Sequence, residues 1–130
     1  SINIKLNQTN FLAIIKKNNK KFYIGSNGKL IEEVNEEKNL PQLFGNFEMI
    51  EFLKLKEIID NSNFDYFRIK DIFFFKSKRW DIELKDGVFI RLPIEYSTET
   101  LNFIYEIIKD KNFKDKKYID IRQKSQVITK

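Results

Sequence analysis

Apolar and polar side chains alternate without a break from Arg79 to Lys85. Trp80, Ile82 and Leu84 fall on one side, and Arg79, Asp81, Glu83 and Lys85 on the other. A period of two predicts a strand with one apolar face and one wet face. Asp86-Gly87 then turns the chain. A two-residue turn would set Ile82 opposite Arg91 and put a charge on the apolar face. A three-residue loop, Lys85-Asp86-Gly87, pairs Leu84 with Val88, Ile82 with Ile90 and Trp80 with Leu92, and sets Asp81 opposite Arg91. It places Gly87 in the left-handed position of a type I turn with a bulge. A slip of one residue would turn every apolar side chain to water, so this is the expected register. Trp80 is then expected as a core anchor.

The rest of the chain divides in the same way. Ile2, Ile4 and Leu6 alternate with polar residues and predict a first strand, and Phe11 to Lys16 a second. Phe22 to Gly25 and Leu30-Ile31 flank Ser26-Asn27-Gly28-Lys29, which predicts a hairpin with Ile24 opposite Ile31. Glu32 to Asn39 reads as a polar loop, and Pro41 keeps Leu40 to Gly45 out of a helix interior. Phe47 to Asp60 predicts a helix capped by Asn46, with Glu48 and Glu51 near its positive end and an apolar stripe of Phe47, Ile50, Leu53 and Ile58. Ile69 to Lys76 predicts a Phe-rich strand leading through Ser77-Lys78 into the strand of Trp80. Ser97 caps a second helix from Thr98 to about Asp110, with Leu101, Ile104, Tyr105 and Ile108 on one face. A charged loop around Phe113 follows, then a strand from Tyr118 to Arg122 and a short one from Gln126 to Ile128. This order predicts an α+β fold, with two helices packed on one face of a mixed or antiparallel sheet.

Composition narrows the chemistry. The 130 residues suit one domain, and no internal repeat or low-complexity linker divides them. The chain has no Cys and no His, which removes disulfides, thiol chemistry, the commonest general base and the commonest metal ligand. No catalytic residue, cofactor or metal is therefore expected. No stretch approaches the ~18 apolar residues of a membrane span. The net charge of +5 comes from 24 Lys and Arg against 19 Asp and Glu, with the signs interspersed. The densest basic runs, Lys16-Lys17 with Lys20-Lys21 and Lys76-Ser77-Lys78-Arg79, read as solvated surface. Nucleic-acid binding is not expected, because the Phe residues fall at core periodicity. Gly25-Ser26-Asn27-Gly28 lacks the third Gly and the Lys-Ser/Thr of a phosphate loop. Asp120 shares one strand face with Arg122, the spacing of a structural ion pair.

Five segments in a fixed order carry a family resemblance. They are the turn Ser26-Asn27-Gly28-Lys29-Leu30; Leu40-Pro41-Gln42-Leu43-Phe44-Gly45; the helix after it; Lys78-Arg79-Trp80 running to Asp86-Gly87 with Leu92-Pro93; and Tyr118-Ile119-Asp120-Ile121-Arg122. Together they resemble the C-terminal β domain of the bacterial cell-division family FtsQ, called DivIB in Gram-positive bacteria. The resemblance implies residues 1–130 as a single β domain, a fragment lacking the family's cytoplasmic tail, membrane helix and most or all of its POTRA domain. It implies a non-enzymatic scaffold on the periplasmic side of the inner membrane, anchored by a single membrane helix in the full-length protein. It implies the FtsB–FtsL pair as partners, with an FtsB segment adding a strand beside the last strand of the domain. By position the docking edge would be Arg122, Gln123, Lys124, Ser125, Gln126 and Val127. Arg122 would meet an acidic side chain of the partner, and Lys78 or Arg79 a second one. The chain departs from the family at Gln123, where many members have Tyr, and at Gln126, where Gly is common. Two other classes share parts of this pattern. One is another POTRA-linked assembly or secretion domain; the other is a carboxylate-dependent cell-wall hydrolase, which would need a close carboxylate pair in a cleft.

Overall fold

The computed structural model describes residues 11–32, 39–123 and 125–130. The strand expected over Ile2 to Leu6, most of the polar loop after Glu32, and Lys124 lie outside the described residues. Alternating segments form strands β1 (Phe11–Lys17), β2 (Lys20–Gly25), β3 (Leu30–Glu32) and β4 (Gln42–Phe44), followed by helix α1 (Met49–Asp60). Strands β5 (Ile69–Phe74), β6 (Trp80–Leu84) and β7 (Phe89–Arg91) come next, then helix α2 (Thr98–Lys109), β8 (Tyr118–Gln123) and β9 (Gln126–Thr129). The described strands form one mixed sheet in the order β3-β2-β1-β4-β5-β6-β7-β8-β9.

Hairpin partners are antiparallel, while β1–β4, β4–β5 and β7–β8 are parallel. Parallel neighbours need a long crossover, and α1 supplies it from β4 to β5 and α2 from β7 to β8. Strand β5 is antiparallel to β6, and β6 to β7. Both crossovers therefore leave strands of the same direction and step the same way along the sheet. With the usual right-handed connection they must land on the same face. They do so: Phe52, Leu55 and Ile59 of α1 and Leu101 and Ile104 of α2 share one core with Ile72, Ile82, Ile90 and Ile119 of the sheet. Trp80 is 2 % exposed in that core. Its ring lies 4.6 Å from Phe74 and 5.6 Å from Phe47, centroid to centroid.

The expected register around Gly87 is the one observed. Asp81 lies opposite Arg91 and Ile82 opposite Ile90, and the Leu84 N–H donates to the Val88 carbonyl at 2.8 Å. The same three-residue loop recurs twice. Gly25 N–H donates to Lys29 O at 2.9 Å, and Phe75 N–H to Arg79 O at 3.0 Å. In each loop the third residue returns its N–H to the first flanking carbonyl: Gly28 to Gly25, Lys78 to Phe75 and Gly87 to Leu84. That residue must be left-handed, with φ of +82°, +67° and +93° respectively. Two of the three are Gly, for which this region is free of strain; the third is Lys78.

Four expectations are corrected. Ile24 lies opposite Leu30, not Ile31, because the Asn27-Gly28 hairpin uses the three-residue loop. The first helix begins at Met49 rather than Phe47 and is capped by Glu48, whose N–H donates to the Glu51 carboxylate at 3.0 Å, not by Asn46. Its buried face is Phe52, Leu55 and Ile59, and Ile50 is 75 % exposed. The polar side of the Trp80 strand is not fully wet, since Asp81 is completely buried. Pattern reading also missed β4, three residues inserted between β1 and β5 by parallel pairing on both sides. Gly45 closes it at φ +106°, where a Cβ would sit 2.2 Å from the Phe74 carbonyl oxygen. Only Gly lets the chain pass there.

Candidate functional site

The face of the sheet without helices carries a row of charge. Register places Phe73, Asp81, Arg91, Asp120 and Ile128 side by side across β5 to β9. Arg79 and Arg122 sit two residues from the two carboxylates, on the same face by strand alternation. Arg79 donates from Nε and Nη2 to both Asp81 oxygens, each at 3.2 Å. Arg91 Nη1 lies 3.9 Å from Asp81 Oδ2, and its guanidinium stands over the rings of Phe89 and Tyr118. Arg122 grips Asp120 with Nη2 at 2.6 Å from Oδ2 and Nε at 2.9 Å from Oδ1, while its own N–H donates to Oδ1 at 3.0 Å. These bonds, the Arg122 side chain first, hold the Asp120 carboxyl down at about 2. Three guanidiniums thus lie along the two carboxylates of the row.

At the end of this row a groove of about 440 Å³ opens between β6 and the C-terminal edge. Arg79, Arg122, Gln123 and Gln126 line it, with Ile94 and Ile128 as its apolar walls. Four of the eight residues expected to meet a partner are thus brought together. Lys78 is exposed beside Arg79 in the strained loop position, Ser125 is in the β8–β9 turn, and Val127 is 44 % exposed on β9. Lys124 lies outside the described residues. The arginines differ from expectation in one respect: both are already engaged by carboxylates, and the Arg79 side chain is only 13 % exposed. Arg122, at 42 %, is the one that presents charge to solvent. Ile94 and Ile128 were not singled out from sequence. Ile94 follows Leu92-Pro93 and is 59 % exposed, and nothing in the local pattern marks it as such.

Among the described strands, β9 ends the sheet on the C-terminal side. Lys130 and Tyr118 exchange both backbone bonds at 3.0 Å. Antiparallel ladders alternate, so Ile128 and Gln126 also turn their backbone groups to β8, and Val127 and Thr129 turn theirs outward. On the helix side of the same edge, a hollow of about 200 Å³ lies among Ile107, Phe113, Lys116 and Thr129. Lys116 Nζ donates to the Thr129 hydroxyl at 3.1 Å. The edge therefore has a recess on each face.

A carboxylate pair does occur elsewhere. Asp71 lies opposite Glu83 on β5 and β6, and its pKa is raised, by burial first and by Glu83 to a lesser degree. It stands on the sheet between Gln42 and Phe89 and lines neither recess at the edge. Among the described residues, no helix is long and apolar enough to cross a membrane.

A family model described as cell division protein FtsQ/DivIB, C-terminal, matches residues 13–122. Among solved structures, the chain is similar to the major extracytoplasmic domain of the trans isomer of the bacterial cell division protein DivIB from Geobacillus stearothermophilus. The TM-score is 0.55 at 14 % identity, covering 76 % of this chain and 90 % of that one. No curated protein sequence matches the chain.

Proposed function

The chain belongs to the FtsQ/DivIB family of bacterial cell-division proteins, and from that premise we propose that it is a non-enzymatic scaffold domain that takes up a strand of the FtsB–FtsL complex at β9. The observation that carries this reading is the outward backbone of Val127 and Thr129 between two recesses. An edge strand offers N–H and C=O groups that a partner strand satisfies, and alternate side chains of that partner fall on opposite faces. One set would enter the groove at Arg122 and Ile128, and the other the hollow at Phe113. An acidic side chain in the first set meets the exposed part of the Arg122 guanidinium and the Lys78 ammonium. Scaffolding rather than catalysis fits the two carboxylates of the charged row, each held by a guanidinium. In this reading the domain works on the periplasmic side of the inner membrane, anchored through the full-length protein.

The backbone directions choose the test. Val127→Pro removes an outward donor without removing a bond to β8, so it should abolish partner binding at a stability cost below about 1 kcal/mol. Ile128→Pro removes an inward donor and should cost more in urea unfolding. Wild-type affinity for an FtsB–FtsL complex in the Val127→Pro protein would overturn strand addition at β9.

A further inference from the structure

The opposite half of the sheet carries separate chemistry. Strands β1 and β4 pair for a single step, Ile14 opposite Gln42, with the Ile14 N–H on the Pro41 carbonyl at 2.9 Å. Beyond that step they part, and a cavity of about 320 Å³ opens between them. Leu30, Phe44, Phe47 and Met49 give it apolar walls, and Lys16 and Lys17 border it. Phe44 and Leu30 are both partly open to water.

The β1–β2 hairpin beside the cleft is built against itself. Asn18 and Asn19 are both left-handed, at φ +51° and +65°, as a tight two-residue turn requires. That turn sets Lys17 opposite Lys20. Like charges directly opposite one another destabilise a hairpin. Among the described residues, no carboxylate lies within ion-pair distance of Lys16, Lys17 or Lys20. The backbone adds a third element. Ile14 bonds toward β4, so Lys16, two residues on, also turns its N–H and C=O to that side, where the cleft has replaced β4.

We propose that this cleft receives an extended acidic peptide segment. An aliphatic side chain of the segment enters between β1 and β4, its backbone bonds to Lys16, and flanking carboxylates meet Lys16, Lys17 and Lys20. An anionic lipid surface shares the charge complementarity but offers no main chain to pair with that of Lys16, and it would have to reach an apolar feature recessed between strands. The proposal is independent of β9.

The test titrates the isotope-labelled chain with a blocked hexapeptide alternating Asp and Leu, read by amide NMR. Saturable shifts are expected over residues 14–21 and 43–49 and not at β9. The Lys17→Glu protein should bind about fivefold more weakly, the scale of losing and reversing an exposed charge pair. It should also unfold at higher urea, because Glu would then face Lys20. A misfolded variant would instead lose its amide dispersion and its stability together. Equal shifts with a hexapeptide alternating Lys and Leu, unchanged affinity in Lys17→Glu, or shifts confined to β9 would each overturn the proposal. So would phosphatidylglycerol vesicles perturbing these amides where the acidic peptide does not, which would mark a lipid-facing surface.

Discussion

Lys78 stores strain that a single substitution should release. It holds the left-handed loop position, at φ +67°, that Gly28 and Gly87 occupy in the two sister hairpins. The left-handed region costs a residue with a Cβ about 1–2 kcal/mol. Glycine escapes that cost but gives up about 0.5–1 kcal/mol to the greater freedom of the unfolded chain. Lys78→Gly should therefore stabilise the domain by about 0.5 kcal/mol, which for this size raises Tm by roughly 2 °C. Lys78→Asn should gain less, since Asn only tolerates the region. Lys78→Ala keeps the strained Cβ and should gain nothing. Urea unfolding monitored at Trp80 ranks the variants as Gly, then Asn, then Lys with Ala. An Ala variant as stable as the Gly variant would refute the backbone argument, as would a Gly variant less stable than the parent. The cationic side chain sits beside Arg79 at the candidate edge. The Gly variant should therefore lose partner affinity while gaining stability, the pattern of strain kept at a functional position.

Other outcomes follow from the core and the charged row. Trp80→Ala empties a site packed by Phe47 and Phe74 and should cost about 3–5 kcal/mol in chemical denaturation; a loss under about 1 kcal/mol would remove Trp80 from the core. Asp81→Ala strands the Arg79 and Arg91 guanidiniums and should cost about 3 kcal/mol by the same assay, the low end for a buried pair because Arg91 remains partly hydrated. A near-neutral Asp81→Ala would mean the row contributes no stability. Asp120 has a folded pKa of about 2, below its ordinary value, so its ion pair contributes fully above about pH 5 and is lost as pH falls through 2. Asp120→Asn should lose less stability than the parent between those limits, and parallel pH profiles would contradict the assignment.

How far the fold was legible depended on what each pattern could exclude. Around Gly87 only one register kept Arg91 off the apolar face, so alternation and turn chemistry agreed. Around Gly28 both Ile24–Ile31 and Ile24–Leu30 set apolar against apolar, and the pattern had nothing to choose with. Phe47 continued the helical spacing of α1, yet it lies before the helix with its ring against Trp80. That contact is long-range, which local periodicity does not encode. The ion pair of Asp120 with Arg122 was readable because both lie on one strand. The link from Asp81 to Arg91 was readable through their shared hairpin. The groove was not, since it needs β6 and β9 near one another, and that follows from the parallel pairing of β7 with β8 through α2. Which amides of β9 face outward was likewise set by the Tyr118–Lys130 pairing, a backbone register that side-chain patterns do not encode.

The most direct test of the central claim is an amide NMR titration of this domain with the periplasmic C-terminal segment of FtsB from the same organism. Strand addition at β9 predicts saturable shifts and slowed amide exchange at Val127 and Thr129, with further shifts at Arg122, Gln123 and Arg79. Absence of shifts at these residues with the segment at about 1 mM, or binding that leaves the Val127 and Thr129 amides exchanging as before, would contradict strand addition at β9.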